Sequence, residues 1–378
     1  MLEIQVKNDR AMNGDKNLLL FNLKTDADDG VLGFTTDWIN TLAPHFKKLF
    51  VITMVAGKIR VAGNVTVYSV GKENGYSIPR RIFEFYRILY RLLHTEAIDA
   101  CFAHMMPLFA VMAWPLLKAK RIPIVLWYAH KTVNTTLKIA VYLVDRVVTS
   151  SSTGFQIETN KKQVIGQGID TERFCPPVNR NNKDVPFILL YVGRLSPIKH
   201  IEVLIEAMAK LVKERSGIKV QAKIIGGPLT TVDQKYASRL KLQAKDHGVD
   251  DGVEFIGSKS FHEVHKYYQM ADCFVNPSDT DSVDKTVLEA MSCGVPIITS
   301  NIAFKEVLGT ELATLWVIEK RNVNALYESL SLLMDMPISE RRELGVMLRE
   351  IVVRDHSLHR LSEKISNIVR EVTLIEKD

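Results

Sequence analysis

Short, continuous apolar segments rich in β-forming residues alternate with helical patterns along this 378-residue chain. A strand that is apolar at every position is typical of a parallel sheet covered by helices on both faces. The alternation therefore predicts an α/β protein with doubly wound parallel sheets. The predicted strands are residues 18–23, 49–56, 65–70, 98–103, 122–129 and 144–150 in the first half, and 187–192, 220–225, 253–256, 272–276, 296–300 and 312–317 in the second.

One segment interrupts this alternation. Residues 174–186 combine prolines, asparagines and charged residues without periodicity, which is typical of a linker between domains. At roughly 150 residues per domain, the length fits two such domains. We predict Rossmann-like domains over residues 1–178 and 179–356, followed by a helix at about 357–378 that can pack back on the first domain.

Composition excludes several classes of protein. With 47% hydrophobic and 24% charged residues, the chain is not disordered over most of its length. Its net charge of +6 allows an anionic substrate or membrane surface but is too weak to indicate nucleic-acid binding. The first sixteen residues are polar, so we expect no signal peptide, and the longest apolar run is too short to span a membrane. A cytoplasmic protein is expected, with peripheral attachment at the inner face of the membrane left open.

Motifs of other enzyme classes are absent from the sequence. It has no GxGxxG turn after a strand and no GxxxxGK[ST], which disfavours nicotinamide, flavin and P-loop sites. GxSxG and HExxH are also missing. The four cysteines form no CxxC pair, so they are best interpreted as reduced thiols rather than metal ligands.

Two cations follow the first predicted strand of the second domain. Gly193 permits a tight turn after strand 187–192, Arg194 lies in the loop, and Lys199 falls at the start of the next helix. Open α/β sheets bind ligands at this carboxyl edge, and two cations beside a helix N-terminus suit a pyrophosphate. Ordinary charges on a solvated loop would explain the same spacing.

A short helix, predicted at about 284–293, is apolar nearly all round and therefore buried. It contains Glu289, and a buried carboxylate requires a cation or a hydroxyl as partner. Such a group can accept hydrogen bonds from a ribose diol, while the backbone N–H groups of Lys285 and Thr286 meet a phosphate. A structural salt bridge to an arginine or lysine is the alternative.

Taken in order, the motifs of the second half resemble the nucleotide-binding half of the GT-B-fold, family-four retaining glycosyltransferases, also called glycosyltransferases group 1. The motifs are GRLSxxK, IIGGP, FIG, ADCFVNPS, D-x7-E and EAMSCGVPIITS, and they cover the whole second domain. The first domain resembles the family more weakly, through the context of His130 and the segments VDRVVTS and QGID. The resemblance implies two Rossmann-like domains facing across a cleft, and transfer of a hexosyl group from a nucleotide-diphosphate sugar with retention.

The resemblance also implies roles for individual residues. Arg194 and Lys199 would hold the diphosphate, Glu289 the ribose, and Asp281 the hydroxyls of the donor sugar. His130 would reach the donor sugar across the cleft, although a structural histidine after a strand is the commoner case. The remaining donor-site residues implied are Gly193, Gly226, Gly227, Ile256, Gly257, Ser258, Lys285 and Thr286.

The sequence departs from the family pattern at several positions. Asp281 stands where the family usually has glutamate, which shortens its reach by one methylene. Ser282 and Asp284 stand where glycine is common, and Asp284 adds negative charge near the predicted phosphate site. Gln167 replaces a usual asparagine, and the N-terminal glycine pair is loosened over residues 30–33.

Metal, donor and acceptor follow from the same resemblance. The DxD at residues 279–281 is a common chance match, and Arg194 and Lys199 can supply the charge of a metal, so we expect no metal and no cofactor. The expected donor is UDP-glucose, with GDP-mannose, UDP-GlcNAc and UDP-galactose as alternatives. The expected acceptor is a glycan or lipid-linked glycan of polysaccharide biosynthesis.

The first domain is expected to bind the acceptor. Its candidate residues are Asp28, Asp29, Gly33, His104 and His130. A polar loop that caps the helix after it would explain the aspartates equally well. A basic aromatic helix at about 79–94 could contact anionic lipid, although a helix with one cationic solvent face has the same pattern.

Two other functions remain open from the sequence. A GT-B-type sugar-nucleotide epimerase or hydrolase would share the diphosphate site, but it needs an additional acid–base pair that the sequence does not identify. A catalytically silent subunit that keeps the nucleotide site is the other alternative, and the departures at Asp281 and Asp284 leave it open.

Overall fold

A computed structural model describes residues 14–30, 32–178, 186–215 and 217–375. The chain divides into two units, one of residues up to Gly168 together with those from Leu358 onwards, and one of Ile169–Ser357. The predicted division after residue 178 stays a prediction, because residues 179–185 of the predicted linker lie outside the described residues. So do the N-terminal residues 1–13 and Val31 of the loosened glycine loop.

The first unit is built on seven parallel strands in the order β3-β2-β1-β4-β5-β6-β7. Six of them correspond to predicted apolar segments, and the short edge strand β7 was not predicted, because its three residues carry no apolar run. The strands are β1 (Asn17–Thr25), β2 (Lys48–Ala56), β3 (Val65–Ser69), β4 (Ala100–His104), β5 (Ile124–Trp127), β6 (Arg146–Thr149) and β7 (Lys162–Val164).

Helices cover both faces of this sheet. In β1, Leu19 and Phe21 pack into one hydrophobic core, while Leu18 and Leu20 pack into another on the opposite face. This arrangement explains why the strand is apolar throughout. The second of these cores also contains Ile365 of the C-terminal helix. The helices are α1 (Phe34–Leu42), α2 (Ile78–Thr95), α3 (Pro107–Ala119) and α4 (Thr135–Leu143), with the C-terminal helix Leu358–Ile375 being α12 in chain order.

The second unit is a five-stranded parallel sheet in the order β10-β9-β8-β11-β12. Right-handed crossovers in opposite directions from β8 place the connecting helices on opposite faces. The predicted α/β class with two doubly wound sheets is therefore confirmed. The strands are β8 (Phe187–Val192), β9 (Val220–Ile225), β10 (Val253–Gly257), β11 (Cys273–Asn276) and β12 (Ile297–Thr299). The helices are α5 (Ile201–Glu214), α6 (Thr231–Asp246), α7 (His265–Met270), α8 (Lys285–Ser292), α9 (Phe304–Trp316), α10 (Val323–Asp335) and α11 (Ile338–Asp355).

One predicted strand was wrong. Residues 312–317 belong almost entirely to α9, and Val317 alone forms an isolated bridge, to Thr299. Gly309 divides this helix into two short pieces. The first buries Phe304 and Leu308 and the second buries Ala313 and Trp316, so within each piece the buried residues have helical spacing. Each piece on either side of Gly309, whose φ is 72°, is too short to show a clear helical period in the sequence.

Candidate functional site

Strand order brings two loops of the second unit together. β8 pairs with β9 on one side and with β11 on the other, so the direction of winding reverses beside β8. Loop 193–200 follows β8 and loop 277–284 follows β11, and both lie at the carboxyl edge of the sheet. The Asp279 backbone N–H donates to the Ile198 carbonyl at 3.1 Å and joins them. This edge is where open α/β sheets bind ligands.

Three consecutive strand ends form one surface of closely spaced backbone. The N–H of Gly193 donates to Ile225, that of Gly226 to Gly257, and that of Leu195 to Gly227. Gly226 has φ of 136°, and a Cβ built there would lie 1.8 Å from the Gly193 carbonyl oxygen. Only glycine fits such an approach.

The neighbouring turn extends this backbone surface. A Cβ at Gly227 would lie 2.6 Å from the Ser258 hydroxyl oxygen. The predicted glycines 193, 226, 227 and 257, together with Ser258, are thus brought to one place. Ile256 lies in β10 directly before Gly257. Its side chain is half-buried and packs against the core of the unit.

Lys199 lies where the two loops meet. It closes a single 3₁₀ turn, Pro197–Lys199, directly before α5. Its Nζ donates to the Ser278 hydroxyl at 3.2 Å and lies 3.3 Å from a carboxylate oxygen of Asp284, the N-cap residue of α8. The structure thus places this ammonium beside the N-terminal end of α8, where the helix dipole favours an anion.

Arg194 projects from the same edge into solvent. Its side chain is nearly half exposed, and its Nε lies 4.0 Å from the Asp233 carboxylate. Asp233 occupies position N3 of α6 and forms a capping box with Thr230, the N-cap residue of that helix. The buried Tyr191 hydroxyl donates to the Arg194 carbonyl at 3.1 Å and fixes the backbone of this turn. Arg194 therefore keeps an accessible guanidinium on a rigid loop.

The aspartates of the DxD segment are ion-paired with basic side chains that sequence reasoning missed. Asp281 contacts Lys320 Nζ at 2.7 Å. Asp279 contacts His200 Nε2 at 3.0 Å and the Arg321 guanidinium at 2.5 Å. Lys320 and Arg321 are some forty residues away in the sequence, and no local signal could have found them. Among the described residues, no group of three or more metal-ligating side chains is present.

Glu289 has the hydroxyl partner that its burial requires. Its side chain is 6% exposed, and the Tyr268 hydroxyl of α7 donates to it at 3.0 Å. Burial raises the pKa of the Glu289 carboxyl above its usual range, although Lys285, the Tyr268 hydrogen bond and Arg173 favour the charged form. The hydroxyl partner is therefore present, and a structural salt bridge to an arginine or lysine stays the alternative prediction.

In the first unit, the carboxyl edge is crowded by ion pairs. Asp28 is paired with Lys58 at 3.2 Å and Arg60 at 3.0 Å, and Asp29 with Lys24. The loop that holds them runs from β1, the strand at which winding reverses, to the start of α1 at Gly33. A Cβ at Gly33 would meet the Asp29 carbonyl oxygen at 2.6 Å, so the turn requires glycine for space.

The two histidines predicted for acceptor binding have different surroundings. His104, the last residue of β4, is buried, with ring centroids 4.6 Å from Trp38 and 6.2 Å from Trp127. His130 lies in the exposed segment after β5, and its Nδ1 accepts a hydrogen bond from the Thr132 backbone N–H at 3.0 Å. That bond leaves Nε2 as the protonated nitrogen when the ring is neutral. The roles of both histidines stay predictions.

Comparisons with known proteins match the second unit in sequence. Residues 177–346 match the family model described as glycosyl transferases group 1. D-inositol 3-phosphate glycosyltransferase of Frankia alni is 30% identical over 159 residues, which are 39% of this chain and 38% of that protein. The putative colanic acid biosynthesis glycosyltransferase WcaL of Escherichia coli is 26% identical over 219 residues, 56% of this chain and 51% of that one. The chain thus matches about a third to a half of the length of these curated relatives.

A likeness of fold extends over almost the whole chain. The crystal structure of Anabaena HepE in complex with UDP-glucose superposes with a TM-score of 0.71 at 15% sequence identity, covering 94% of this chain and 99% of that one. At this identity the likeness speaks for the fold alone. The chain therefore has the GT-B fold, and its second unit carries a domain of the glycosyl transferases group 1 family.

Proposed function

We propose that the protein is a retaining glycosyltransferase that transfers a hexosyl group from a nucleotide-diphosphate sugar to a glycan or lipid-linked glycan. The observation that carries this proposal is the meeting of Lys199 with the N-terminal end of α8 at the switch point of the second sheet. Arg194 adds a second, accessible cation on the neighbouring turn. Two cations and a helix N-terminus match the charge of a diphosphate.

We propose UDP-glucose as the donor. The turns at Gly226, Gly227 and Gly257 present backbone without side chains at this edge, and a Cβ at Gly257 would meet no atom within 4 Å. Glu289 would supply a carboxylate to the ribose. The structural neighbour from Anabaena was solved with UDP-glucose bound. GDP-mannose, UDP-GlcNAc and UDP-galactose are the competing donors that an experiment must include.

The proposed chemistry is electrostatic. As the bond between the anomeric carbon and the diphosphate breaks, negative charge builds on the distal phosphate and the sugar becomes oxocarbenium-like. Arg194, Lys199 and the start of α8 would stabilise that charge, and each preorganised donor of this kind is typically worth a few kcal/mol. Retention would follow from attack on the same face, with a phosphate oxygen taking the proton of the acceptor hydroxyl. Asp281 would contact the sugar hydroxyls, and no metal would be required because the cations supply the positive charge.

The first unit is proposed to bind the acceptor, an intermediate of polysaccharide biosynthesis. Asp28, Asp29 and Gly33 follow β1 at the carboxyl edge of its sheet, where the direction of winding reverses, and His104 ends the neighbouring strand β4. The neutral Nε2–H of His130 could donate a hydrogen bond to a sugar oxygen. WcaL, one of the relatives, is named for colanic acid biosynthesis.

Helix α2 supports a peripheral membrane contact at the cytoplasmic face. None of the described helices combines the length and hydropathy needed to cross a bilayer. Instead α2 buries one face in the core and exposes a row of apolar side chains spaced four residues apart, with exposed arginines beside it. An apolar row flanked by arginines is complementary to anionic phospholipid headgroups and the acyl region below them. The exposed apolar residues are Ile78, Ile82, Phe83, Tyr86 and Tyr90, and the arginines are Arg80, Arg87 and Arg91.

Sedimentation with liposomes tests this contact. We expect binding to vesicles that contain phosphatidylglycerol and much weaker binding to vesicles of phosphatidylcholine alone. The double variant Phe83→Ser, Tyr90→Ser should lose the binding, while Leu242→Ser, which removes an equally exposed apolar residue from α6, should keep it. Equal sedimentation of all three proteins would exclude α2 as the contact.

Ligand binding and product analysis test the main proposal. UDP-glucose should raise the melting temperature of the protein above the shifts given by GDP-mannose and by other UDP-sugars, since a ligand at 100 times its Kd stabilises by about 2.7 kcal/mol. Release of UDP from UDP-glucose is then measured alone and with a panel of short oligosaccharides. We expect Arg194→Ala and Lys199→Ala each to lower turnover about a hundredfold. Lys245→Ala, an exposed lysine at the end of α6, should not change it.

Each competing function gives a different product. An isomerised nucleotide sugar without acceptor would indicate an epimerase, and free glucose without acceptor a hydrolase. Nucleotide binding with no turnover under any condition would indicate a silent subunit. Turnover of the Arg194 and Lys199 variants within a few-fold of the wild type would refute the assignment of the diphosphate site.

A further inference from the structure

Asp284 holds the ammonium group that the donor diphosphate would need. Both of its carboxylate oxygens lie within hydrogen-bonding distance of Lys199 Nζ, at 3.3 and 3.4 Å. The Asn276 amide and the Thr280 hydroxyl donate to the same carboxylate, at 3.2 and 2.9 Å. The side chains of Lys199 and Asp284 are only 16% and 15% exposed, so this ion pair is shielded from solvent.

The orientation of Asp284 is unusual for its position. An aspartate at the N-cap of a helix ordinarily accepts hydrogen bonds from the first backbone N–H groups of that helix. In the described part of the chain, the Asp284 side chain makes no capping hydrogen bond to α8. Its backbone has the extended conformation of an N-cap residue, with φ of −71° and ψ of 124°, so the geometry for capping is present. The carboxylate is directed to Lys199 instead.

This arrangement sets two anions in competition for one cation. We propose that Asp284 is an internal counter-ion of Lys199 that competes with the diphosphate of the donor, and so lowers the affinity for nucleotide. The inference rests on the proposed function, because it assigns a role to a residue within the proposed diphosphate site. A bound diphosphate must either displace the carboxylate from Lys199 or lie beside a second negative charge in a partly buried place, and both weaken its binding.

The two other aspartates of the loop differ from Asp284 in their partners. Asp279 and Asp281 pair with His200, Arg321 and Lys320, none of which is among the cations assigned to the diphosphate. Asp284, by contrast, contacts Lys199, which is proposed to bind the diphosphate.

Calorimetric titration with UDP tests the inference at fixed pH and ionic strength. Asp284→Asn keeps the size of the side chain and an oxygen that can accept from Thr280 and Asn276, but removes the charge. We expect it to bind UDP about tenfold more tightly than the wild type, a factor typical of one charge-assisted hydrogen bond. Asp284→Gly should give a change in the same direction. Asp246→Asn removes an equal charge from the exposed end of α6 and should leave the Kd of UDP unchanged.

A double-mutant cycle identifies the route of the effect. If the competition acts through Lys199, then Asp284→Asn should change the affinity for UDP much less in a Lys199→Ala background. Equal or weaker binding of UDP by both folded Asp284 variants, alongside measurable binding by the wild type, would overturn the inference and leave the proposed function standing. Absence of binding of UDP, GDP and ADP to the wild type and to both variants would overturn the proposed function and the inference with it.

Discussion

Replacing Glu289 by glutamine removes one negative charge from the interior of the second unit and leaves its shape almost unchanged. The carboxylate is 6% exposed, and its partner Tyr268 is completely buried. A glutamine side-chain oxygen can still accept the hydrogen bond from the Tyr268 hydroxyl. The substitution therefore measures the free energy that burial of the charge costs the folded protein. Such a cost is expected if the charge serves to bind a ribose, and it is not expected if the charge stabilises the fold.

The sign of the effect follows from the pKa of Glu289. Burial raises the pKa of this carboxyl in the folded protein above its value in the unfolded chain. The charged form is thus disfavoured by folding, and wild-type stability falls as the pH rises from the unfolded pKa, about 4.3, through the raised folded pKa. The glutamine side chain of the variant does not titrate, so Glu289→Gln should gain stability relative to the wild type over that same interval. At pH 8 the variant should therefore unfold at the higher temperature, and each 1 kcal/mol of gain would raise the Tm by about 2–4 °C in a unit of this size.

Thermal denaturation at pH 4 and pH 8 measures this difference, with UDP titrated in a parallel series. We expect Glu289→Gln to melt higher than the wild type at pH 8, to lose that advantage at pH 4, and to bind UDP more weakly. Glu311→Gln, an exposed glutamate of α9, serves as the matched control and should show none of the three effects. Strong destabilisation of Glu289→Gln at pH 8 would refute the reasoning, because it would mean that the charge stabilises the folded protein.

Three further substitutions test the framework around the sites. Gly226→Ala should lower the free energy of unfolding by several kcal/mol, because its Cβ would lie 1.8 Å from the Gly193 oxygen. Gly217→Ala is the control, since Gly217 also has a positive φ but a Cβ there would meet no atom within 4 Å, and it should cost only about 1–2 kcal/mol. Urea denaturation compares the two variants. Lys161→Met removes an ammonium that donates to the carbonyls of Val141, Tyr142 and Val144 at the C-terminal end of α4. It should lower the free energy of unfolding by about 1–3 kcal/mol, and an unchanged urea midpoint would contradict this. Thr230→Ala removes the N-cap of α6, whose hydroxyl accepts from the Asp233 N–H, and it should lower the Tm by an amount equivalent to about 1 kcal/mol. Thr314→Ala, in an exposed position inside α9, is the control.

Most of the fold could be predicted from the sequence because both sheets are parallel and buried on both faces. Their strands are continuous apolar runs, and eleven of the twelve predicted strands correspond to strands of the structure. The failure at residues 312–317 has a local cause, since the kink at Gly309 splits a helix into pieces too short to show their period. The edge strand β7 was missed for the opposite reason, because a strand on the rim of a sheet has little apolar surface to bury.

The local chemistry of the candidate site was also present in the sequence. The turn after β8 with its two cations, and the buried helix that contains Glu289, are each contained in one short segment. Burial of a carboxylate requires a partner, so the existence of a hydroxyl or cation near Glu289 could be predicted even though its identity as Tyr268 could not. Local spacing determines which residues leave a strand at its carboxyl edge, and it does so without knowledge of the rest of the chain.

The partners of the charged groups were decided by the tertiary structure alone. Lys199 meets Asp284, Asp281 meets Lys320, and Asp279 meets Arg321, over separations of some forty to eighty-five residues. Such pairs depend on which loops the strand order brings side by side, and an ion pair between distant segments leaves no periodicity that a sequence pattern could show. Local residue spacing thus predicts an anion site at this edge, and only the strand order, which brings the two loops together, pairs Lys199 with the carboxylate of Asp284.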